Sequence, residues 1–439
     1  MVDVAEVKIW GEVIGAVRWD ETVQMASFEY DPKFLAKGID LSPIKMPIQN
    51  GPRIYSFPEL RKSKDEESST FQGLPGLLAD ALPDKYGNQL INLWLAQNGR
   101  AAGSMNPVEQ LCFIGTRGMG ALEFEPATPK SNNKSFSIEV ESLVEGAKKL
   151  LSNRSGFETK LSPDEKTAMT EILKVGTSAG GMRPKAVIAY NSKTKEVRSG
   201  QVKAPKGFEH WLLKLDGVSD AQFGESHGFG RVEYAYHLMA KACNIDMMEC
   251  RLLEENERAH FMTKRFDRAG NAQKHHVQTF CGIQHYDYTN LFSFSYEQLF
   301  QTMRSLRLTY PEAEQMFRRM TFNVLATNYD DHTKNFAFLL KENGKWTLAP
   351  AYDVCHAYSP DSVWVNQHTL SINGKHRDIT QADLLTIAKA NNIKKAERLI
   401  SEIRDVVLEW ENFADEVGVQ NRLKASIWAT LHARNFGKN

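Results

Sequence analysis

The chain has 439 residues, with 54 Lys plus Arg against 54 Asp plus Glu, so its formal net charge is zero and whole-molecule basicity gives no argument for nucleic-acid binding. Apolar residues make up 42% and charged residues 25%, which excludes a disordered or collagen-like chain. The length corresponds to about three domains or sub-domains. No apolar run reaches the roughly 18 residues that a membrane span requires. The start, MVDVAEVKIWGEV, carries Asp3 and Glu6 where a signal peptide needs a basic stretch. The scattered cysteines Cys112, Cys243, Cys250, Cys281 and Cys355 form no CxxC pair and suit reduced thiols. The expectation is a soluble cytoplasmic protein.

Residues 7–19 and 23–30, rich in Val, Ile, Trp and Phe and parted by Asp20-Glu21, predict a pair of strands. Helical spacing from Leu77 to Leu95 is broken by Pro83 and Gly87, which predicts two helices with a turn between them. Residues 126–135 have the composition of a linker, and a boundary near 130 closes a small α/β domain, 1–130. Helices are expected over 138–150 and 162–173, the second with Ser162 as N-cap and Pro163 in its first position. A loop, VGTSAGGMRPK, leads into a buried strand over 186–190. Further strands are expected over 210–215 and 260–266, with a helix over 230–242 between them. This alternating part is 131–268. From about Ser295 the chain reads as mostly helical, with Ala313, Met316, Phe317, Met320 and Val324 on one helix face. Residues 336–340 and 346–348, separated by Glu342-Asn343-Gly344-Lys345, predict a hairpin inside this third part, 269–439.

The segment NYDDHTKNFAFLL, from Asn328 to Leu340, crowds Asp330, Asp331, His332, Thr333, Lys334 and Asn335 at the boundary between helix and hairpin. Ala351-Tyr352-Asp353-Val354 follows directly behind the hairpin, which folds back on itself, so Asp353 is expected close to Asn335. Phosphoryl transfer from ATP needs a carboxylate for the attacking hydroxyl, hard oxygen ligands for Mg²⁺ and positive charge for the migrating group. Asp330 supplies the first, Asn335 and Asp353 the second, and Lys334 part of the third. A base, then an Asn, then an Asp beyond a strand pair is the order found in protein kinases. A solvated turn in which Asp and Asn act as caps fits the same residues.

Gly176-Thr177-Ser178-Ala179-Gly180-Gly181-Met182-Arg183-Pro184-Lys185 combines small residues, whose backbone N–H groups approach an anion closely, with the charges of Arg183 and Lys185. It is neither a Walker A nor a GxGxxG loop, and a flexible turn before a strand is the other reading. Lys214 stands near the end of the apolar run WLLKLD, where a cation is costly to bury unless an anion such as a nucleotide phosphate answers it. A snorkelling edge-strand lysine is the alternative. The backbone of Lys264, Arg265 and Phe266 suits the connector that meets adenine in a two-lobed kinase, or else a strand end with a surface Arg–Asp pair. His275, His276 and His285 have no acidic or Cys partners at ligand spacing and read as solvated or hydrogen-bonded.

Together these segments resemble the HipA family of bacterial toxin serine/threonine kinases over nearly the whole chain. FQGLPGLLADALPDKYGN looks like the signature of the family's N-terminal domain, TSAGGMRPK like its phosphate loop and TKRFDR like its hinge. ATNYDDHTKN and LAPAYDV look like its catalytic and metal-binding motifs. The resemblance implies an α+β, two-lobed protein-kinase-like fold with a small N-terminal α/β domain and a mostly helical C-terminal lobe. It implies Asp330 as catalytic base, with His332, Thr333 and Lys334 completing the loop, Asn335 and Asp353 on Mg²⁺, and Tyr352 beside ATP. Gly180, Gly181, Met182, Arg183, Pro184 and Lys185 would cover the phosphates, Lys214 would contact them, and Lys264, Arg265 and Phe266 would bind adenine.

The family also implies autophosphorylation at Ser178, which would expel the loop and switch the enzyme off. Its usual partner is a HipB-like helix-turn-helix antitoxin bound to operator DNA, and its best-known substrate is glutamyl-tRNA synthetase, whose phosphorylation leads to growth arrest and persistence. Lys394-Lys395 and His376-Arg377 are candidates for direct DNA contact. One departure is Asp331, where the family often has a small or basic residue; it is expected to add negative charge beside the base. Two other functions stand as alternatives: a DNA-linked co-repressor whose kinase fold matters little, and a kinase of a lipid or small molecule.

Overall fold

The structure is a computed structural model that describes residues 2–49, 51, 53–61, 70–126, 137–152, 176, 183–200, 204–218, 228–270 and 273–436. The expected helix over 162–173, nearly all of the linker, and Ser178, Gly180, Gly181 and Met182 lie outside the described residues. Two compact units form. The first is Met1–Gly230 with Arg251–Val277 and Lys341–Gly344; the second is Arg231–Cys250 with Gln278–Leu340 and Lys345–Asn439. The first therefore holds both segments that the sequence divides near residue 130. Among the described residues no helix is long and apolar enough to cross a membrane.

The first unit opens with strands β1 (Val4–Ile9), β2 (Glu12–Asp20) and β3 (Met25–Tyr30), which join β4 (Ile54–Ser56) and β5 (Leu122–Glu125) in the order β4-β3-β2-β1-β5. The run 7–19 is thus not one strand but the greater part of a hairpin. Trp10 and Gly11 both take left-handed backbone, φ 51° and 82°, the conformation a tight two-residue turn requires. The helix Pro107–Ile114, capped by Asn106 and buried along its whole length, packs against β1, β2 and β5.

Pro83 lies in the break between the short helix Gly76–Ala79, which ends at its C-cap Asp80, and the helix Lys85–Gln97, but Gly87 breaks nothing. It sits in the first turn of the helix Lys85–Gln97, where its N–H donates to the N-cap carboxylate of Asp84 at 2.7 Å.

A second sheet contains β6 (Lys185–Tyr190), β7 (Val197–Ser199), β8 (Glu209–Lys214), β9 (Cys250–Glu255) and β10 (Arg258–Lys264) in the order β7-β6-β8-β10-β9. The three expected strands are present; the third starts two residues early and stops at Lys264. β7 and β9 are additions, since VRS and CRLLEE are too short or too polar to read as strands alone. One face of this sheet buries Ala186, Ile188, Trp211, Leu213 and Met262 against Tyr86, Leu90 and Leu93 of the helix Lys85–Gln97 and Leu143, Val144 and Ala147 of the helix Val140–Ser152. An N-terminal helix so completes the core of the second sheet, and the hydrophobic effect holds both parts in one unit.

The second unit is mostly helical. The helices Tyr296–Ser305 and Tyr310–Leu325 start at capping boxes, Ser295 with Gln298 and Thr309 with Glu312. Met316, Phe317, Met320 and Val324 are buried as expected, and Ala313 is half-buried at the edge of the same stripe. The helices Gln381–Ala390, Ala396–Leu408, Trp410–Glu416 and Asn421–Phe436 close the chain. Between the two groups lies the expected hairpin of Ala337–Leu340 and Trp346–Leu348, registered by Phe338 with Leu348 and Leu340 with Trp346.

Candidate active site

The segment Asn328–Asn335 leaves the helix Tyr310–Leu325 through Thr327, whose φ of 55° turns the chain sharply. Asn328 hooks back to that helix: its N–H donates to Asn323 O and its Nδ2 to Asn323 Oδ1, both at 2.9 Å. The next turn is held by a parallel bridge in which Tyr329 N–H donates to Ala357 O at 3.0 Å and Ala357 N–H to Thr327 O at 3.1 Å. Asp330 then presents a side chain that is 43% exposed.

A single turn, Thr333–Asn335, fixes the rest of the loop. Its cap is His332, whose Nδ1 accepts from Lys334 N–H at 3.2 Å and whose Nε2 lies 3.8 Å from Asp330 Oδ1. Thr333 Oγ1 donates to Tyr286 O at 2.8 Å, and the Lys334 ammonium stands 4.9 Å from the centre of the Tyr288 ring.

Asn335 Nδ2 donates to Asp330 O at 2.6 Å. Because a carbonyl only accepts, this bond fixes which end of the amide faces Asp330 and turns the hard oxygen Oδ1 away from it. Beyond the hairpin, Tyr352 OH donates to Lys334 O at 2.6 Å, which ties the second motif to the first. Asp353 follows with φ 55°, a left-handed backbone that Asp tolerates better than most residues and that aims its carboxylate differently from an extended chain.

In the first unit, Lys185, Lys214 and Phe261 stand opposite one another across β6, β8 and β10. The two lysines therefore leave the sheet from directly opposed positions, a pairing of like charges that is unfavourable unless anions answer it. Lys185 is 2% exposed, with Nζ 3.4 Å from Asp84 Oδ2, while Lys214 Nζ is half-buried 5.8 Å from the centre of the Phe261 ring. Pro184 O accepts from Leu215 N–H at 3.0 Å, and the Arg183 guanidinium stacks 4.7 Å from the Phe229 ring. At the expected connector, Lys264 Nζ pairs with Glu209 and Phe266 is half-buried. Arg265 is 3% exposed; its guanidinium grips Asp267 at 2.6 and 2.8 Å and donates to Gly118 O, and its N–H donates to His210 O. What Arg265 leaves for a ligand is a rigid backbone rather than its charge.

Two family models match the sequence, the HipA N-terminal domain over residues 5–125 and the HipA-like C-terminal domain over 177–423. The chain belongs to the HipA family.

A solved complex of HipA, HipB and operator DNA from Shewanella oneidensis MR-1 has a HipA chain that matches 99% of this chain with 96% of its own, at 17% identity and a TM-score of 0.67. The HipA fold, α+β and two-lobed, is thus present as expected. The Helicobacter pylori kinase CtkA matches 50% of this chain with 92% of its own, at 12% identity and a TM-score of 0.29, too slight a similarity to carry a shared fold. No curated protein matches the sequence.

Within this HipA chain the expectation for Asp331 is overturned. Its carboxylate does not lie beside the exposed face of Asp330 but points inward: the residue is 1% exposed and accepts from Tyr296 OH, His368 Nδ1 and the N–H groups of Thr369 and Leu370. Consecutive side chains leave the loop on opposite sides, so one acid faces out and its neighbour anchors the loop. His276, one of the histidines set aside as a metal ligand, is buried with Nε2 3.3 Å from Leu41 O. Tyr296, His368, Tyr288 and Asp84 are the residues that sequence reasoning missed. Tyr296, His368 and Tyr288 lie in none of the motifs, Asp84 lies in the N-terminal signature rather than in a site motif, and each reaches the loop or the strand from a separate element.

Proposed function

We propose that this chain is an ATP- and Mg²⁺-dependent serine/threonine-protein kinase that serves as the toxin of a toxin–antitoxin pair. One observation carries the reading: the Asn335 amide is locked onto the Asp330 carbonyl with Oδ1 turned away, and Tyr352 ties the Asp353 turn to the same loop. Asn335 Oδ1 and the Asp353 carboxylate are hard oxygens of the type Mg²⁺ takes. The bound ion would offset the negative charge of the triphosphate.

Asp330 accepts the proton of the substrate hydroxyl as that oxygen bonds to the γ-phosphorus and the bond from phosphorus to the β–γ bridging oxygen breaks. Lys334, held over Tyr288, adds positive charge beside the acid. Lys214 meets phosphate oxygens, while Lys185, its partner on the neighbouring strand, is already answered by Asp84. The loop Gly180, Gly181, Met182, Arg183 and Pro184 covers the phosphates, and the fixed backbone of Lys264 to Phe266 receives adenine. Phosphate on Ser178 would add nearly two negative charges to that loop and expel it, so the enzyme silences itself.

The partners proposed are a HipB-like helix-turn-helix antitoxin and, mainly through it, operator DNA, the assembly named for the Shewanella protein. The acceptor proposed is a translation protein such as glutamyl-tRNA synthetase. Asp330→Asn and Asp353→Ala test the chemistry. Each should lower ³²P incorporation from labelled ATP at least about 100-fold and relieve growth arrest on expression. Undiminished incorporation in both variants would remove the site.

A further inference from the structure

We propose that Asp331 is a positioning residue for Asp330: a buried anion whose hydrogen bonds fix the backbone from which the catalytic acid is aimed. The proposal rests on the kinase reading of Asp330. Two donors meet each oxygen of Asp331. Oδ2 accepts from Tyr296 OH at 2.9 Å and His368 Nδ1 at 2.8 Å, and Oδ1 from Thr369 N–H at 2.8 Å and Leu370 N–H at 3.4 Å.

The donors come from the start of the helix Tyr296–Ser305 and from the strand Leu370–Ser371 with the residues before it. They are themselves held. Asn323 Nδ2 donates to the Tyr296 hydroxyl at 3.0 Å, and the His368 ring lies 4.3 Å from that of Tyr329. Thr369 Oγ1 also donates to Tyr329 O at 3.3 Å. A fully buried carboxylate in such a cage is expensive to move, because any displacement strands several donors at once. Adjacent Cα atoms are about 3.8 Å apart, so the anchor of residue 331 is in effect the anchor of residue 330. The Asn335 bond to Asp330 O and the Ala357 bond to Tyr329 N–H hold the other side.

Tyr296→Phe, which removes one donor and keeps the ring, and Asp331→Ala, which removes the anion, form the test on the full chain. The readouts are the rate of ³²P incorporation into the protein itself at saturating ATP, the affinity for a fluorescent ATP analogue, and the fraction folded. A misaimed acid loses rate without losing nucleotide affinity. Incorporation per folded molecule should fall about 100-fold in Asp331→Ala and several-fold in Tyr296→Phe, with ATP affinity within about twofold of wild type. Asp331→Asn, whose amide can still accept from Thr369 N–H, should recover most of the rate. Should Asp331→Ala not fold, Tyr296→Phe decides. Variants that unfold more readily yet transfer phosphate at the wild-type rate per folded molecule would overturn the positioning role alone. A wild-type protein that takes up no label would overturn the kinase reading beneath it.

Discussion

Asp267 is fully buried between two guanidiniums, Arg265 at 2.6 Å and Arg268, and also accepts from Gly120 N–H at 2.7 Å. Burial pushes its carboxyl up, but Arg265 and Arg268 overcome this and hold it well below the ordinary carboxylate range. Its stabilising contribution is therefore complete above about pH 4 and drains away as the pH falls below that value. Asp267→Asn leaves two buried cations unanswered and should cost about 3–5 kcal/mol in urea unfolding at neutral pH, a loss that shrinks as the buffer is acidified. In sequence this residue is one letter of TKRFDR, legible as a charged cluster. That it points inward, and that its partners include a glycine 147 residues away, is not. Asp331 carries the same lesson: two neighbouring aspartates look alike as letters, and their burial separates an exposed acid from an anchor.

Asp84 joins two elements. It caps the helix Lys85–Gln97 through Gly87 N–H and answers Lys185 on β6. Asp84→Ala should lose about 1 kcal/mol of cap and, with the buried Lys185 left without this carboxylate, about 3–5 kcal/mol in total. The double variant Asp84→Ala, Lys185→Met should recover part of this, since an apolar side chain of similar length strands no charge; unfolding midpoints of both, compared with wild type, check it. The elements themselves were largely readable. Pro83, the stripe from Met316 to Val324 and the turn Glu342-Asn343-Gly344-Lys345 all act within a few residues of their own position. Errors arose where local chemistry favoured two outcomes. Gly87 reads as a breaker until an N-cap at Asp84 makes its N–H useful, and Trp10-Gly11 sits inside an apolar run until its backbone is seen to be left-handed.

Across the whole molecule, His210, His237, His276 and His356 share one condition: burial, foremost among the causes in each, lowers their pKa to about 4. Unfolding frees these groups to bind protons near pH 6.5, so each favours the folded state fully above that pH and loses the contribution as the pH falls toward 4. The thermal midpoint should hold steady above about pH 6.5 and drop between pH 6.5 and 4; a midpoint flat across that window would count against buried neutral histidines. The sequence alone determined the order of strands and helices around the motifs, the hairpin behind the loop Asn328–Asn335, and the candidates Asp330, Asn335 and Asp353. Periodicity, caps and turns are short-range properties of neighbouring letters. Only the tertiary structure decided that Asp331 is an anchor, that Lys185 is answered by Asp84, and that Arg265 spends its charge on Asp267. These outcomes depend on which distant groups share a low-dielectric interior, and the free energy of burying a charge is set by that company rather than by the letters beside it.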